Sequence, residues 1–414
     1  FFLISLFSIS APLFLLINVL QKSKKTFIFA TEKCVKIKKN DWSGLMRFIP
    51  LDFLKDNTML AENLVNIKNQ ILLRKNVVLN SKNISRIKAL GFKSLYVKNP
   101  DEEDILEEEV KDIINPEIRK KAVFDIKDSM ERFTEEINKQ KQQLVYGNSG
   151  QELLEVIDHV SESLIDEILN SSDLKISIMD IKSENDYLYE HAVNTAVLSI
   201  MLAVKKGLNI KEIRNIAIAS LLINVGYKYF SKDLYDHPGP LTDDAWREMR
   251  QHPVHGHEIL TGNTTLNSHV RTIVLHHHER IDGSGYPGGL KNNDIHPHAK
   301  IVMLADVYDA MTSDRKHRSA FLHNEVIEYI MGNAGRLFDF ELSNIFSRCI
   351  VPYPAGTHVL LSDGRKGIVL KNNNSHPLRP VIRIIKDNKL DESPEGHIDL
   401  MKTHNLTIEK IVYD

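Results

Sequence analysis

Two hydrophobic periodicities divide the chain. From residue 151 to about residue 350, apolar residues recur at the spacing of amphipathic helices, as in ELLEVIDHVSESLIDEIL and HAVNTAVLSIMLAVKKGL. From residue 351 onward the pattern changes to that of strands, and THVLLSDGRKGIVL predicts a hairpin around a Ser-Asp-Gly turn. The chain is therefore expected to be mostly α, with a helical domain at 151–350 and a small β domain at 351–414.

Shorter elements precede the helical region. Residues 46–98 predict a small α+β module, in which Asn80 or Ser81 caps a helix and Val77–Val78 forms a strand. Residues 99–150 predict an acidic linker followed by a charged connecting helix.

The N-terminal 45 residues do not have the pattern of a folded domain. Residues 1–21 carry no charged side chain, and three lysines follow within the next four positions. A stretch of about 20 apolar residues can span a bilayer as a helix, and the lysines would keep its C-terminal end in the cytoplasm. The alternative is a non-native upstream extension, because the domain-like pattern begins only at Met46 with MRFIPLDFL. We therefore expect a cytoplasmic protein that either starts at Met46 or is held by a single N-terminal anchor.

The composition narrows the class of protein. The 414 residues are 42% apolar and 26% charged, as in soluble globular proteins. The formal net charge is −2, from 53 basic and 55 acidic residues, so no nucleic-acid partner is expected. Two cysteines are too few for a disulfide framework.

Histidines cluster in one part of the helical region. Ten of the 18 histidines lie between His237 and His298, and three are consecutive, from His276 to His278, at the end of a predicted helix. Neutral imidazole is a common ligand for Zn, Fe and Mn. Neighbouring helical side chains diverge by about 100°, so consecutive histidines can share one metal only at a helix end or a distortion. We interpret His276 as an accessory residue, and we expect His296 and His298 not to be ligands.

Groups suited to phosphate chemistry follow the histidines. The loop ERIDGSGYPGGL contains four glycines, which allow a phosphate-bearing ligand to approach the backbone. Asp306 and Asp309 are predicted to share one helix face. Arg315 and Arg318 are spaced like a phosphate clamp. Together with the histidines, these groups indicate a metal-assisted phosphoryl site.

The segment HHERIDGSGYP, from His277 to Pro287, resembles the HD-GYP domain, whose members hydrolyse the bacterial second messenger cyclic di-GMP. Supporting segments occur in the expected order, including YLYEHAVNTAVLS, HPGPLTDDAWREMRQHPVHGHEIL and AKIVMLADVYDAMTSDRKHR. The resemblance implies an HD-type helical bundle and a two-metal centre that activates a hydroxide. By position, the implied metal ligands are His191, His252, His277, His278 and Asp306, and the implied substrate contacts are Tyr286, Asp309, Arg315 and Arg318.

One segment departs from the family pattern. Where the family has His-Asp-x-Gly-Lys, this chain has Ile223-Asn224-Val225-Gly226-Tyr227. Isoleucine has no donor atom, and asparagine cannot supply the bridging negative charge. Asp306 and Asn224 are the expected catalytic residues, with Asn224 a marginal metal ligand. We therefore expect one divalent ion, Fe or Mn or alternatively Zn, rather than two.

Three functions are compatible with these residues. The first is a cyclic di-GMP receptor that has lost most hydrolysis, and the second is a working phosphodiesterase with an altered metal centre. The third is an interaction module that contacts a diguanylate cyclase (GGDEF) partner and binds no nucleotide. The charged connecting helix could support a homodimer. Trp246 is expected in the core.

Overall fold

The computed structural model describes most of the chain after residue 45. The described residues are 46–65, 70–90, 92, 94–98, 113–140, 148–171, 174, 187–230, 242–262, 266–313, 320–373, 375–386, 389–391 and 393–413. The predicted N-terminal anchor or extension and the predicted clamp residues Arg315 and Arg318 lie outside them. Within these ranges, no helix is both long enough and apolar enough to cross a membrane.

The N-terminal module combines short strands with one helix. Strand β5 pairs with β1 on one side and β2 on the other, all antiparallel, while β3 and β4 form a separate pair. The elements are β1 (Met46–Pro50), a 3-10 turn (Leu51–Phe53), β2 (Met59–Leu60), β3 (Leu64–Val65), β4 (Ile71–Leu73), α1 (Ser81–Ala89) and β5 (Ser94–Lys98). The Asn80 side chain caps α1 by accepting from the Asn83 amide at 2.9 Å. The strand predicted at Val77–Val78 is wrong, because only Val78 pairs, in an isolated bridge with Met59.

A helical bundle forms the middle of the chain and shares one large apolar core. Its helices are α2 (Pro116–Gln140), α3 (Asn148–Asn170), α4 (Tyr187–Lys206), α5 (Ile210–Leu222), α6 (Asp243–Met249), α7 (His252–Thr261), α8 (Ser268–His276), α9 (Pro297–Thr312), α10 (His323–Gly332) and α11 (Phe340–Cys349). Short 3-10 turns occur at Val225–Tyr229 and Asn292–Asp294. This bundle confirms the predicted mostly α fold.

Helix α4 lies at the centre of the bundle. Every residue from His191 to Ala203 is buried, because α4 packs against α5 on one side and α9 on another. The connecting helix α2 also reaches it, where buried Arg119 donates to the Asn194 Oδ1 atom at 2.7 Å. Trp246 on α6 is 44% exposed, so its predicted place in the core is wrong. Helix α6 is only seven residues long, and none of its residues is buried.

The C-terminal region is an antiparallel sheet with its own core. Its path runs β10-β8-β7-β6-β11, and β9 pairs with β8. The elements are β6 (His358–Leu361), β7 (Lys366–Lys371), β8 (Val381–Lys386), β9 (Lys389–Leu390), a 3-10 turn (Pro394–Gly396), β10 (His397–Asp399) and β11 (Ile408–Ile411). The predicted hairpin is β6–β7, and Gly364 in its turn has a φ of 86°. After β11, Tyr413 stacks on Phe53 at 5.1 Å between ring centroids, so the chain's last residues contact the N-terminal module.

Gly226 permits a close backbone contact beside the predicted site. It lies in the 3-10 turn Val225–Tyr229, which packs directly on α7. A Cβ atom at Gly226 would lie 1.9 Å from the His252 carbonyl oxygen and 2.7 Å from the Gly256 amide nitrogen. The turn can therefore approach α7 only where residue 226 has no side chain.

We expect the substitution Gly226→Ala to lower the free energy of unfolding by about 3 kcal/mol or more, because backbone atoms on both sides must separate. Urea denaturation would measure this. The matched control is Gly332→Ala at the end of α10, where a new Cβ meets nothing within 4 Å. The control should be neutral or up to about 1 kcal/mol more stable, since alanine favours the helix. Equal stability of the two variants would contradict the contact.

A second group of histidines caps helix α9 away from the predicted metal ligands. The His296 Nδ1 atom accepts from the His298 amide at 3.2 Å, and the His296 Nε2 atom lies 2.8 Å from His269 Nδ1. The His296 amide in turn donates to His276 Nδ1 at 3.3 Å. These contacts require His296 to keep a lone pair on Nδ1. Burial, followed by the neighbouring His298, His269 and His276, lowers the pKa of His296 to about 4.

Neutral His296 contributes stability that is fully present above pH 6.5. This stability is lost as the pH falls through 4, because the side chain binds a proton at a higher pH in the unfolded protein than in the folded one. We expect His296→Asn to retain the cap and to flatten the loss of stability between these pH values. Urea midpoints measured across this range would show it. His404→Asn, in an exposed loop, should behave like the wild type. Parallel curves for wild type and His296→Asn would contradict this role.

Candidate metal centre and ligand site

Three predicted metal ligands come together at two helix ends. His252 is the first residue of α7, His277 is the C-cap residue of α8, and His278 follows it. One ring nitrogen from each lies within 4.8 Å of the others. Because His277 and His278 lie where the helix ends, their side chains escape the divergence that a continuous helix imposes.

The hydrogen bonds of these histidines leave their inner nitrogens ready to ligate a cation. His252 Nδ1 lies 2.8 Å from the Met249 carbonyl oxygen, and His277 Nδ1 lies 2.6 Å from that of Val274. A carbonyl only accepts, so both Nδ1 atoms carry protons and both neutral Nε2 atoms carry lone pairs. The two Nε2 atoms face each other at 3.2 Å. Two nitrogens at about 2.0–2.1 Å from one tetrahedral zinc would lie about 3.3 Å apart, so the residues present fit a divalent metal.

Burial keeps the three imidazoles in the ligating form. It lowers the pKa of His252 to about 3 and also lowers the pKa values of His277 and His278. Two tyrosines cover the cluster. The Tyr227 ring stacks on His252 at 4.4 Å between centroids, and the Tyr286 ring stacks on His278 at 4.7 Å. The neutral cluster is thus enclosed between aromatic faces.

A charged group lies beside this neutral cluster. The buried His191 of α4 donates from Nδ1 to Asp309 at 2.7 Å and from Nε2 to Asp306 at 2.9 Å. Burial opposes the charged imidazole, but Tyr187 and the hydrogen bonds that His191 donates to both aspartates outweigh it and raise the pKa of His191 to about 10. The prediction that Asp306 and Asp309 share one helix face is confirmed, since both reach His191. Asp306 also lies 3.6 Å from His278 Nδ1 and so joins the two groups.

The glycine-rich loop is held by a residue that the sequence analysis missed. Glu279 is fully buried, and its carboxylate accepts from the amides of Gly288 at 2.7 Å and Leu290 at 2.9 Å. A Cβ at Gly285 would lie 2.3 Å from the Arg280 amide nitrogen, so the loop folds back tightly on this segment. The local sequence carries no signal that separates this glutamate from one on the surface. Glu279 positions the loop that carries Tyr286, and the Tyr286–Pro287 peptide bond is cis.

The segment from Ile223 to Tyr227 borders the cluster. Ile223 follows α5 and is fully buried, while Asn224 begins the turn whose Tyr227 stacks on His252. The Asn224 Nδ2 atom is buried without a hydrogen-bond partner among the described residues. The structure therefore brings the predicted ligands, Tyr286, Asp309 and Asn224 into one region. Arg315 and Arg318 fall outside the residues it describes.

Comparison with known proteins agrees with this arrangement. Residues 175–342 match the family model of the HD domain, and residues 358–413 match that of a KOW domain associated with the HD domain. The chain is 32% identical over 232 residues to a cyclic di-GMP phosphodiesterase of Pseudomonas aeruginosa, covering 56% of this chain and 54% of the relative. It is 38% identical over 140 residues to a cyclic di-GMP phosphodiesterase response regulator of Xanthomonas campestris, covering 34% and 37%. The chain thus spans about half or less of the length of these relatives.

Among solved structures, an HDG"Y"P protein from Bdellovibrio bacteriovorus aligns with a TM-score of 0.40 and 18% identity, covering 73% of this chain and 98% of that chain. This structural likeness is too loose to carry an inference. Residues 175–342 of this chain match the HD domain, and this region is similar in sequence to cyclic di-GMP phosphodiesterases.

Proposed function

We propose that this protein binds cyclic di-GMP and hydrolyses it little or not at all. Relatives named as cyclic di-GMP phosphodiesterases match its helical domain, which supports the ligand class. The observation that carries the loss of hydrolysis is the pair Ile223-Asn224, which stands where the family has His-Asp. Ile223 is fully buried and has no donor atom, so this position offers nothing to a metal.

One divalent cation fits the neutral cluster. His252, His277 and His278 would hold it through their inner nitrogens, and the carbonyls of Met249 and Val274 fix two of the rings. A bound ion of this kind polarises a phosphoryl oxygen and lowers the pKa of bound water. Fe or Mn is the expected ion, with Zn as the alternative, because three imidazoles with an open position suit all of them.

A second cation lacks an adequate site. Its remaining donors would be His191, Asp306 and the neutral side chain of Asn224. Between Asp306 and Asp309, His191 holds a proton with a pKa of about 10, and a cation would have to displace it. Family members have a charged aspartate where Asn224 stands. Because asparagine is neutral, it attracts a second cation less strongly and offsets less of the cost of displacing the His191 proton. We therefore propose a mononuclear centre.

A working phosphodiesterase with an altered centre is the second candidate. It is favoured by the proximity of all five implied ligands, since Asp306 lies between His191 and His278. Formation of linear product from cyclic di-GMP well above a metal-free control would establish it over the receptor. Failure to bind cyclic di-GMP at any metal content would leave only the interaction with a diguanylate cyclase partner.

We expect the purified protein, expressed in medium supplemented with iron and manganese, to carry close to one divalent ion per chain. His277→Gln should remove most of that metal, because the His277 Nε2 atom faces the cluster. Elemental analysis by mass spectrometry would measure the content. His397→Gln, on an exposed position of the C-terminal sheet, should keep it. Two ions per chain, or equal loss in both variants, would contradict a mononuclear centre at this cluster.

Restoring the family segment tests the cause of the lost activity. We expect the triple variant Ile223→His, Asn224→Asp, Tyr227→Lys to bind nearly two ions per chain. Its turnover of cyclic di-GMP should rise about 100-fold or more, since a second cation typically supplies several kcal/mol. Product formation by liquid chromatography would measure the rate.

A fourth change provides the control for this gain. The same triple variant carrying His277→Gln should lose both the metal and the turnover, although it differs from the repaired protein at one ligand only. A folded triple variant that gains neither metal nor turnover would contradict the assignment of Ile223-Asn224 to the family's His-Asp pair.

A further inference from the structure

The side chain of Arg250 lies over the ring of Tyr286. Arg250 is not among the ligand residues that the family resemblance implies. Arg250 follows α6, two residues before His252, and its guanidinium carbon lies 5.6 Å from the centre of the Tyr286 ring. That ring also stacks on His278 at 4.7 Å. The ring of Tyr286 therefore contacts both the guanidinium of the exposed Arg250 and the imidazole of His278, a candidate metal ligand.

The guanidinium of Arg250 is not engaged by a carboxylate in the described part of the chain. Two nearby arginines have acceptors within the protein. Arg247, one turn earlier, pairs with the Asp244 carboxylate, and Arg280 donates to the Glu279 backbone carbonyl at 2.8 Å while covering the Phe338 ring. Arg250 thus presents N–H donors at the rim of the cluster, and no acceptor for them lies among the described residues.

This arrangement suits recognition of a phosphate. A guanidinium offers planar, paired donors that match two phosphate oxygens, and its charge is permanent. Contact with an aromatic face restrains the side chain, so less rotamer freedom is lost when it binds an anion. The family's lysine in the neighbouring turn is absent here, and Tyr227 in its place stacks on His252 and carries no positive charge. Arg250 is placed to supply a positive charge that this lysine does not provide here.

We propose that Arg250 is an anion-binding residue of this site and holds a phosphate group of the nucleotide ligand beside Tyr286. The inference rests on the proposed binding of cyclic di-GMP and names a contact within it. Arg250 lies two residues from His252 along the chain, so its backbone is fixed by the same helix junction that places the metal ligand.

The test measures cyclic di-GMP binding to the full, metal-loaded protein by isothermal titration calorimetry. Arg250→Gln should weaken binding about tenfold, the effect of losing one charge-assisted hydrogen-bonding group at an exposed position. Arg250→Lys should recover part of that loss, because it retains the charge but not the planar donor pair. Arg247→Gln removes the same charge one turn away and should bind like the wild type. Metal content should be equal in all four proteins.

The outcomes separate this inference from the proposed function. Binding by wild type that Arg250→Gln leaves unchanged, or that Arg247→Gln weakens equally, overturns the role of Arg250 while the receptor function stands. Loss of metal in Arg250→Gln would identify a structural role instead and would also overturn it. Absence of binding by the metal-loaded wild type overturns both. Weaker binding at constant metal content, partly restored by lysine and not reproduced at Arg247, supports it.

Discussion

A buried imidazolium held between two buried carboxylates ties helix α4 to helix α9, and the rest of the site is arranged around this contact. His191 is 5% exposed and Asp309 is 1% exposed, so neither charge is solvated and each depends on the other. Removing one member of such a group leaves an uncompensated buried charge. This typically destabilises a protein far more than replacing the whole group by apolar side chains. Asp306, fixed by His191, is also the residue that approaches His278. Asp306 therefore links the neutral histidine cluster to His191 on α4.

The two halves of the site have opposite electrostatic character. On one side, three imidazoles have their pKa values lowered by burial and face one another with lone pairs. On the other side, burial opposes the charge of His191, but Tyr187 and the two facing carboxylates raise its pKa. A cation is attracted to the first group because nothing there already carries positive charge. In the second group the proton on His191 already provides the positive charge that the aspartates need.

Local patterns in the sequence were enough to predict the helices that carry the candidate site. The helix periodicity located α4, α5 and α9, and the consecutive histidines indicated a helix end, which is where His277 and His278 lie. Long-range packing was not accessible in the same way. Nothing in the local pattern distinguishes Glu279 from a surface glutamate, and its burial follows from the folding back of the glycine-rich loop. Trp246 was misplaced because α6 is too short to bury an apolar face.

The segment from Ile223 to Gly226 also contributes to stability. A histidine and an aspartate in the place of Ile223 and Asn224 must be desolvated, and without metal that cost is uncompensated. Ile223 instead adds a fully buried aliphatic side chain to the bundle core, and its burial is favourable whether or not a metal is present. At Gly226 the approach of the turn to α7 leaves no room for a side chain. Packing alone therefore accounts for the glycine at this position and for the buried isoleucine three residues before it, whether or not a metal is bound.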